Sequence, residues 1–157
     1  LMKLQMLLQG ENMNQSESIA NLAKALAIVQ GKLTNAKKDS KNPFFKSNYA
    51  DLESVWDACR DLLASNGLAV SQFPGSYCEI DKSMSLTTIL THESGEWISN
   101  EMTLPVSKGD PQGAGSAITY MRRYALAAVV GVVQADDDAN AASTVVNKSV
   151  TKPVEMD

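Results

Sequence analysis

The adjacent arginines Arg122 and Arg123, set between Tyr120 and Tyr124, are the residues whose types and spacing most clearly indicate binding chemistry. A guanidinium group is permanently charged, donates several hydrogen bonds and is costly to bury without a partner. The pair therefore has to meet an anion. Two interpretations stay open. The arginines form surface ion pairs with Asp or Glu, or they contact successive phosphates of a nucleic acid while aromatic rings support stacked bases.

A second segment also combines cations with aromatic rings. Between Lys32 and Tyr49 the chain has five lysines and a single acid, Asp39. The residues of this segment that we predict to contact nucleic acid are Lys37, Lys38, Lys41, Lys46, Phe45 and Tyr49. Such a segment is by itself equally typical of a solvated loop with an aromatic anchor. Two basic-aromatic segments in one small domain favour nucleic-acid binding.

The acidic residues collect elsewhere, most densely in the run Asp136, Asp137 and Asp138. The run begins like a calcium-binding loop, but Ala141 replaces the glycine and Asn147 the glutamate that such a loop needs. We interpret it as a solvated face or as an oligomer contact that pairs with the basic segment of a neighbouring copy, and we predict no metal site. A metal-dependent nuclease that uses these aspartates as ligands is the alternative.

Two further features are weaker candidates for chemistry. The glycine-containing segment 109–119 lacks the lysine followed by Ser or Thr that a nucleotide-hydrolysing loop requires, so we predict no nucleotide cofactor. Gly113 and Gly115 in this segment either bring a helix N-terminus close to a phosphate or allow tight packing. His92, the only histidine, is predicted to be an exposed hairpin residue without a catalytic role.

Size and composition indicate one soluble domain. The chain has 157 residues, of which 44% are hydrophobic and 20% are charged. No apolar run reaches the roughly 18 residues that a bilayer requires. The net charge of −4 excludes a polycation that coats nucleic acid. Cys59 and Cys78 are too few for a disulfide framework, and Cys59 is expected to be buried and reduced in the cytoplasm.

Hydrophobic periodicity predicts an α+β domain, a three-stranded antiparallel β-meander packed by helices. The predicted strands are Leu68–Phe73, Met84–Thr91 and Glu96–Leu104, the last two joined as a hairpin through residues 92–95. The segments outside this domain are residues 1–14, expected to be a disordered or artificially added extension, and residues 141–157, expected to be a flexible tail.

Three helices complete the predicted domain of residues 15–140. The first is capped by Ser16 or Ser18 and ends near Gly31. The second is capped by Asn48 and ends at Asn66–Gly67. Its predicted apolar face consists of Leu52, Val55, Trp56, Cys59, Leu62 and Leu63. The third runs from Gln112 or Gly115 to Val132, with a predicted apolar stripe of Ile118, Met121, Ala125, Ala128, Val129 and Val132.

Three separated motifs resemble the Erf family, phage essential-recombination-function proteins that anneal complementary single DNA strands. They are NPFFKSNYADLESV at 42–55, THESGEWI at 91–98 and GSAITYMRRYALAAVVGVVQADDDAN at 115–140. They occur in the expected order, and the resemblance covers roughly residues 15–140 of the chain. The sequence departs from the family pattern at Ala139, where glycine is expected, and this puts a tight turn at that position in doubt.

The resemblance implies ATP-independent annealing of single-stranded DNA in phage recombination, without a cofactor and without enzymatic activity. It also implies a fold similar to that of the Rad-type annealing mediators, in which copies assemble into rings or helical filaments. In that class a basic pair on the helix after the meander lines the DNA groove, and the matching pair here is Arg122 and Arg123. The implied partners are a phage exonuclease and the single-strand-binding protein of the bacterial host, in whose cytoplasm the phage-encoded protein would act. A structural, protein-binding subunit whose arginines dock an acidic tail is a further alternative.

Overall fold

The computed structural model describes residues 13–36, 40–41, 48–106 and 110–134, and within these ranges the chain is α+β. The strands are β1 (Met13–Gln15), β2 (Ser40–Lys41), β3 (Asn48–Tyr49), β4 (Leu68–Pro74), β5 (Ser83–His92) and β6 (Trp97–Pro105). The helices are α1 (Ala20–Lys32), α2 (Leu52–Ser65) and α3 (Pro111–Val130).

The main sheet is antiparallel, with strand order β1-β6-β5-β4. Strands β5 and β6 form the predicted hairpin, in which Thr91 faces Trp97. Gly95 in the connection adopts a φ of 87°, a left-handed conformation that glycine reaches without a Cβ clash. Strand β4 pairs Leu68 with His92, so the predicted meander is confirmed.

The predicted number of three strands has to be corrected, because β1 adds a fourth strand at the edge of β6. Met13 faces Asn100 and Gln15 faces Ile98. The first two residues of β1 fall within the segment that the sequence assigned to the N-terminal extension. A strand of three residues is too short to show alternating hydrophobicity, so the sequence alone did not reveal it.

The cap of helix α1 comes from the β5–β6 hairpin and not from Ser16. One carboxylate oxygen of Glu96 accepts a hydrogen bond from the Leu22 amide at 2.7 Å, and the other accepts from Asn21 Nδ2 at 3.1 Å and Ser18 Oγ at 3.2 Å. Ser18 contributes one bond to the helix start, because its Oγ accepts from the Ala20 amide at 3.3 Å. The negative charge of Glu96 also suits the positive end of the helix dipole.

Ser16 holds the edge of the sheet instead. Its Oγ accepts a hydrogen bond from the Trp97 amide at 2.9 Å. The Ser16 amide donates to the Trp97 carbonyl at 2.9 Å. The contact continues the pairing of β1 with β6 by one residue, and the prediction of Ser16 as a helix cap is therefore wrong.

Helix α2 is capped by Asp51, so the predicted cap at Asn48 is wrong. The Asp51 carboxylate accepts from the Ser54 amide at 2.9 Å and from Ser54 Oγ at 2.8 Å, while Asn48 lies in β3. The predicted end is confirmed, since Gly67 has a φ of 66°. All six residues of the predicted apolar face are buried in the core or packed against it.

Helix α3 begins at Pro111 after the cap Asp110, whose Oδ1 accepts from the Gly113 amide at 2.7 Å. It ends at Val130, two residues before the predicted end at Val132, because its C-cap Gly131 adopts a left-handed φ of 88°. The predicted stripe is confirmed except at Ala128, which is exposed. Its place in the core is taken by Leu126, Ala127 and Val130.

The core has two parts, and α3 crosses both, which explains why its buried face shifts along the helix. The first half of α3 packs on β5 and β6 in a cluster around Met84, Leu86 and Met121. The second half packs on α1, α2 and the sheet in a larger cluster that includes Leu126 and Val130. Each fully buried aliphatic side chain contributes roughly 1.5–3 kcal/mol, so this packing fixes the orientation of α3.

We expect Glu96→Gln to lower the thermal stability at neutral pH, because the amide replaces a charged cap. The hydrogen bonds from the Leu22 amide, and then from Asn21 and Ser18, hold the pKa of Glu96 below its usual value. Its stabilisation is therefore complete above the unfolded pKa, roughly 4.3, and is lost as the pH falls through the folded pKa. In thermal melts from pH 7 to pH 3, the melting temperature of this variant should fall less steeply with acidification than that of the parent. Glu101→Gln, an exposed position on β6, is the control, and an equal loss in both variants would contradict the capping role.

Cys59 and Cys78 should differ sharply in thiol reactivity. Cys59 is fully buried on α2, and burial raises the pKa of its thiol to about 11, with a smaller opposing effect from Arg60. At pH 8 roughly one Cys59 in a thousand is then a thiolate, the reactive form. Cys78 lies half-buried in the connection between β4 and β5. A thiol-reactive dye should label the folded chain rapidly at Cys78 only. The Cys78→Ser substitution should therefore remove the rapid phase of labelling. Rapid labelling of the Cys78→Ser variant would contradict the burial of Cys59.

Candidate nucleic-acid interface

Arg123 lies at the centre of a cluster that joins α3 to the start of α2. Its Nη1 donates a hydrogen bond to the carbonyl of Ala50 at 3.3 Å. Its Cζ lies 4.6 Å from the centroid of the Tyr124 ring and 5.7 Å from that of Tyr120. The two tyrosine rings contact each other, with centroids 4.4 Å apart and planes at 44°. Both distances from Arg123 are within the range of a cation–π interaction.

Arg122 has a different environment, although it is the next residue. Its backbone carbonyl accepts from Gln72 Nε2 at 3.0 Å, and the same Nε2 lies 3.2 Å from Thr88 Oγ1. These bonds attach α3 to β4 and β5. The Arg122 side chain is half-buried and makes no hydrogen bond or ion pair within the described ranges. The surface ion pair that the sequence left open is therefore not found for Arg122 within these ranges.

The charge on α3 is entirely positive. Over its whole length, Arg122 and Arg123 are the only charged side chains. The surface that leads to them consists of exposed residues with small or neutral side chains: Gln112, Gly115, Ser116, Thr119 and Tyr120. The hydroxyls of Ser116 and Thr119 donate to the carbonyls four residues earlier, at 2.9 Å and 3.0 Å. A polyanion that follows this surface meets no carboxylate from the helix itself.

The helix N-terminus is a poorer anion site than its glycines suggest. The amide of Gly113 already donates to the Asp110 carboxylate, and this negative charge disfavours a phosphate at the same place. Gly115 is exposed, and a Cβ added there would meet nothing within 4 Å. The structure therefore gives no support to tight packing at Gly115, and Asp110 opposes phosphate binding at Gly113.

The basic segment joins the same region through its backbone. Lys41 in β2 faces Asn48 in β3, and Ser40 faces Tyr49, so these two strands of the segment pair as the base of a short hairpin. Strand β3 runs directly into Ala50, the residue that accepts the Arg123 hydrogen bond. The hairpin base and the arginine cluster are therefore connected at Ala50.

Several predicted contact residues lie outside the described residues. They are Lys37, Lys38, Phe45 and Lys46, together with the oligomer-contact candidates Asp136, Asp137 and Asp138. Lys41 and Tyr49 are described in their backbone pairing only. Just before these segments, Ala36 and Gln134 form a parallel bridge, and the Ala36 amide donates to the Val133 carbonyl at 3.3 Å.

Two residues that complete this interface were missed by the sequence analysis. Ala50 and Gln72 contact the arginine pair over separations of 73 and 50 residues along the chain. An alanine before a helix and a glutamine in a strand carry no local signal of such contacts. Only the packing of α3 against β4 and the start of α2 brings them to the arginines.

The remaining candidates for chemistry are His92 and metal-binding side chains. His92 is the last residue of β5 and is half-buried, so its prediction as an exposed residue of the hairpin connection is corrected. Its Nδ1 lies 2.9 Å from Ser94 Oγ and accepts from the Ser94 amide at 3.1 Å, which ties the strand end to the turn. Among the described residues no three His, Cys, Asp or Glu side chains come together as a metal-binding group. Nor does any helix within these ranges have the length and apolar character to cross a membrane.

Comparison with known proteins identifies the family. The family model of the ERF superfamily matches residues 22–155, which is most of the chain. This chain therefore belongs to the ERF superfamily, and the resemblance seen in its three motifs is confirmed. No curated protein and no solved structure matches it. Membership of this family is consistent with single-strand DNA annealing in recombination.

Proposed function

We propose that this Erf-family chain binds single-stranded DNA and anneals complementary strands during homologous recombination, by binding alone and without ATP. The observation that carries the proposal is the arrangement around α3. Its two charges are both positive, they adjoin a tyrosine pair, and they are linked through Ala50 to the base of the basic hairpin. Such a surface suits single-stranded nucleic acid, because its cations can bind phosphates while its aromatic rings stack on bases.

The phosphate contacts come from Arg122, from the positive field of Arg123 and from Lys37, Lys38, Lys41 and Lys46. The side chain of Arg122 is the best supported, because it has no competing partner within the described residues. Neutralising phosphates releases condensed counterions, so the affinity for single-stranded DNA should fall with salt by a slope of roughly 0.7 for each phosphate contacted. The net charge of −4 does not oppose this, because half of the 14 Lys and Arg residues lie in the two basic-aromatic segments.

The base contacts come from the aromatic side chains. Tyr120 is 47% exposed, and Tyr124 and Arg123 back its ring from within the protein. A ring held in this way offers a face on which a base stacks without sequence preference. Phe45 and Tyr49 of the basic segment are proposed to act in the same way.

Annealing requires several subunits, because one domain offers few phosphate contacts and joined copies gain avidity. We propose a ring or helical filament, with the Rad-type arrangement as its template. The Ala36–Gln134 bridge supports a role for charge in its assembly. It places Ala36, which precedes Lys37, beside Gln134, which precedes Asp136 in the sequence by two residues. We propose that the lysines of one copy pair with the aspartates of a neighbour.

The cellular setting is proposed from the family. The protein would be encoded by a phage or prophage and act in the cytoplasm of the bacterial host. A phage exonuclease would supply single strands, and the host single-strand-binding protein would cover them. These partners give the annealing activity its substrates.

The decisive experiment mixes two complementary labelled oligonucleotides with the purified protein, without ATP, and follows duplex formation. The parent should accelerate pairing. Arg122→Ala/Arg123→Ala should weaken single-strand binding by about tenfold or more for each charged interaction with DNA that is removed, and annealing should fall with it. The control is Lys24→Ala/Arg60→Ala, which removes the same charge from exposed positions on α1 and α2.

The same assay separates the alternatives. A nuclease that uses Asp136–Asp138 would shorten the labelled strands when magnesium is added, whereas the annealer leaves them intact. A structural subunit would bind no oligonucleotide at low salt. No acceleration of pairing by a confirmed oligomer at low salt would overturn the proposed function.

The acidic run is tested through assembly. Replacing Asp136, Asp137 and Asp138 by lysine should lower the oligomeric mass measured by light scattering, because like charges would then meet between copies. Adding salt to the parent should shift its mass in the same direction, since exposed ion pairs are screened. An oligomer of unchanged mass in the charge-reversed variant would remove the assembly role of the run.

A further inference from the structure

We propose that the two adjacent arginines have separate tasks, and that Arg123 is a positioning residue while Arg122 is the phosphate contact. This inference rests on the proposed function for its DNA-binding part. Arg123 holds Ala50 and the tyrosine pair together. It thereby fixes the base of the basic hairpin and the start of α2 against α3.

The hydrogen bond from Arg123 is directed into the protein. The acceptor is the carbonyl of Ala50, a residue with 0% exposure. A buried carbonyl that loses its donor is penalised, so this bond is retained when a ligand approaches. The guanidinium carbon also lies over the Tyr124 ring, 4.6 Å from its centroid, and this cation–π contact orients it further.

Ala50 is the point at which three pieces of structure meet. Tyr49 before it ends β3, and Asp51 after it caps α2. The Asp51 carboxylate accepts from the Ser54 amide at 2.9 Å, and its carbonyl accepts from the Val55 amide at 3.1 Å. A shift of the Ala50 carbonyl would therefore disturb both the hairpin exit and the first turn of α2.

Arg122 shows the opposite arrangement. Its attachment to the sheet is made by the backbone carbonyl through Gln72, and its guanidinium makes no bond within the described part of the chain. Successive residues on a helix project about 100° apart, so the two side chains reach different surroundings. The Arg123 guanidinium is engaged by Ala50 and Tyr124, and the phosphate contact is therefore assigned to Arg122.

The test compares Lys and Ala substitutions at both positions, because lysine keeps the charge but not the planar stack. Two quantities are measured: hydrogen exchange of the Ser54 and Val55 amides without DNA, and oligonucleotide affinity as a function of salt. Amides of β5 serve as an internal reference for intact folding. Lys24→Ala is the control for the loss of one remote charge.

At Arg122 the charge should decide the outcome. Arg122→Lys should retain most of the affinity. Arg122→Ala should reduce the salt slope by roughly 0.7 for each phosphate that the variant no longer neutralises. Neither change should alter exchange at Ser54 or Val55.

At Arg123 the shape of the side chain should decide the outcome. Arg123→Lys should speed exchange at Ser54 and Val55 and weaken binding while leaving the salt slope unchanged. Tyr124→Leu keeps both arginines and should speed exchange at the same amides, so the claim is still tested if Arg123→Lys unfolds. The proposal is overturned if Arg123→Lys binds like the parent and Arg123→Ala lowers the slope without changing exchange.

Failure of the positioning role and failure of the proposed function remain distinguishable. If the parent binds no oligonucleotide, the proposed function fails, while exchange at Ser54 and Val55 still decides whether Arg123 positions Ala50. If the parent binds and exchange is unchanged in both Arg123→Lys and Tyr124→Leu, only the positioning role fails.

Discussion

The packing of α3 is the constraint on which the rest of the interface depends. Its first half is fixed to the sheet through Met121, and its second half is fixed to the other helices through Leu126 and Val130. A helix held at both ends has no freedom to rotate about its axis. The direction of each arginine is therefore fixed by the apolar contacts that hold the helix, so the burial of these side chains positions the charges.

For the binding of a polyanion, the distribution of charge over this molecule matters more than its net charge. An acidic protein binds a polyanion only if its cations are gathered and its carboxylates are kept away or engaged. Several described carboxylates are engaged in the fold: Glu96 caps α1, Asp51 caps α2 and Asp110 caps α3. Their negative charges are satisfied by helix N-termini, whereas α3 itself carries only the positive charges of Arg122 and Arg123.

The sequence predicted the features that depend on near neighbours. The apolar face of α2, the turn at His92–Gly95 and the glycine end of α2 at Gly67 all follow from local periodicity and backbone freedom. Features that depend on a distant partner escaped prediction. The Glu96 cap reaches α1 across 74 residues, and β1 is a strand only because β6 lies beside it. In the site, the arginine and tyrosine types were visible in the sequence, but their attachment to Ala50 and Gln72 was not.

Attachment of the basic hairpin to α3 has a physical consequence for strand annealing. A DNA strand whose bases must stay accessible has to be held by its backbone, and this requires cations at fixed separations. Lysines on an untethered loop would follow the strand and lose conformational entropy on each encounter. A hairpin base anchored at Ala50 has already lost part of that entropy during folding, so less is lost when DNA binds. In the proposed interface the same anchor would link the phosphate contacts of two distant parts of the sequence, since Ala50 follows β3 directly and accepts the Arg123 hydrogen bond.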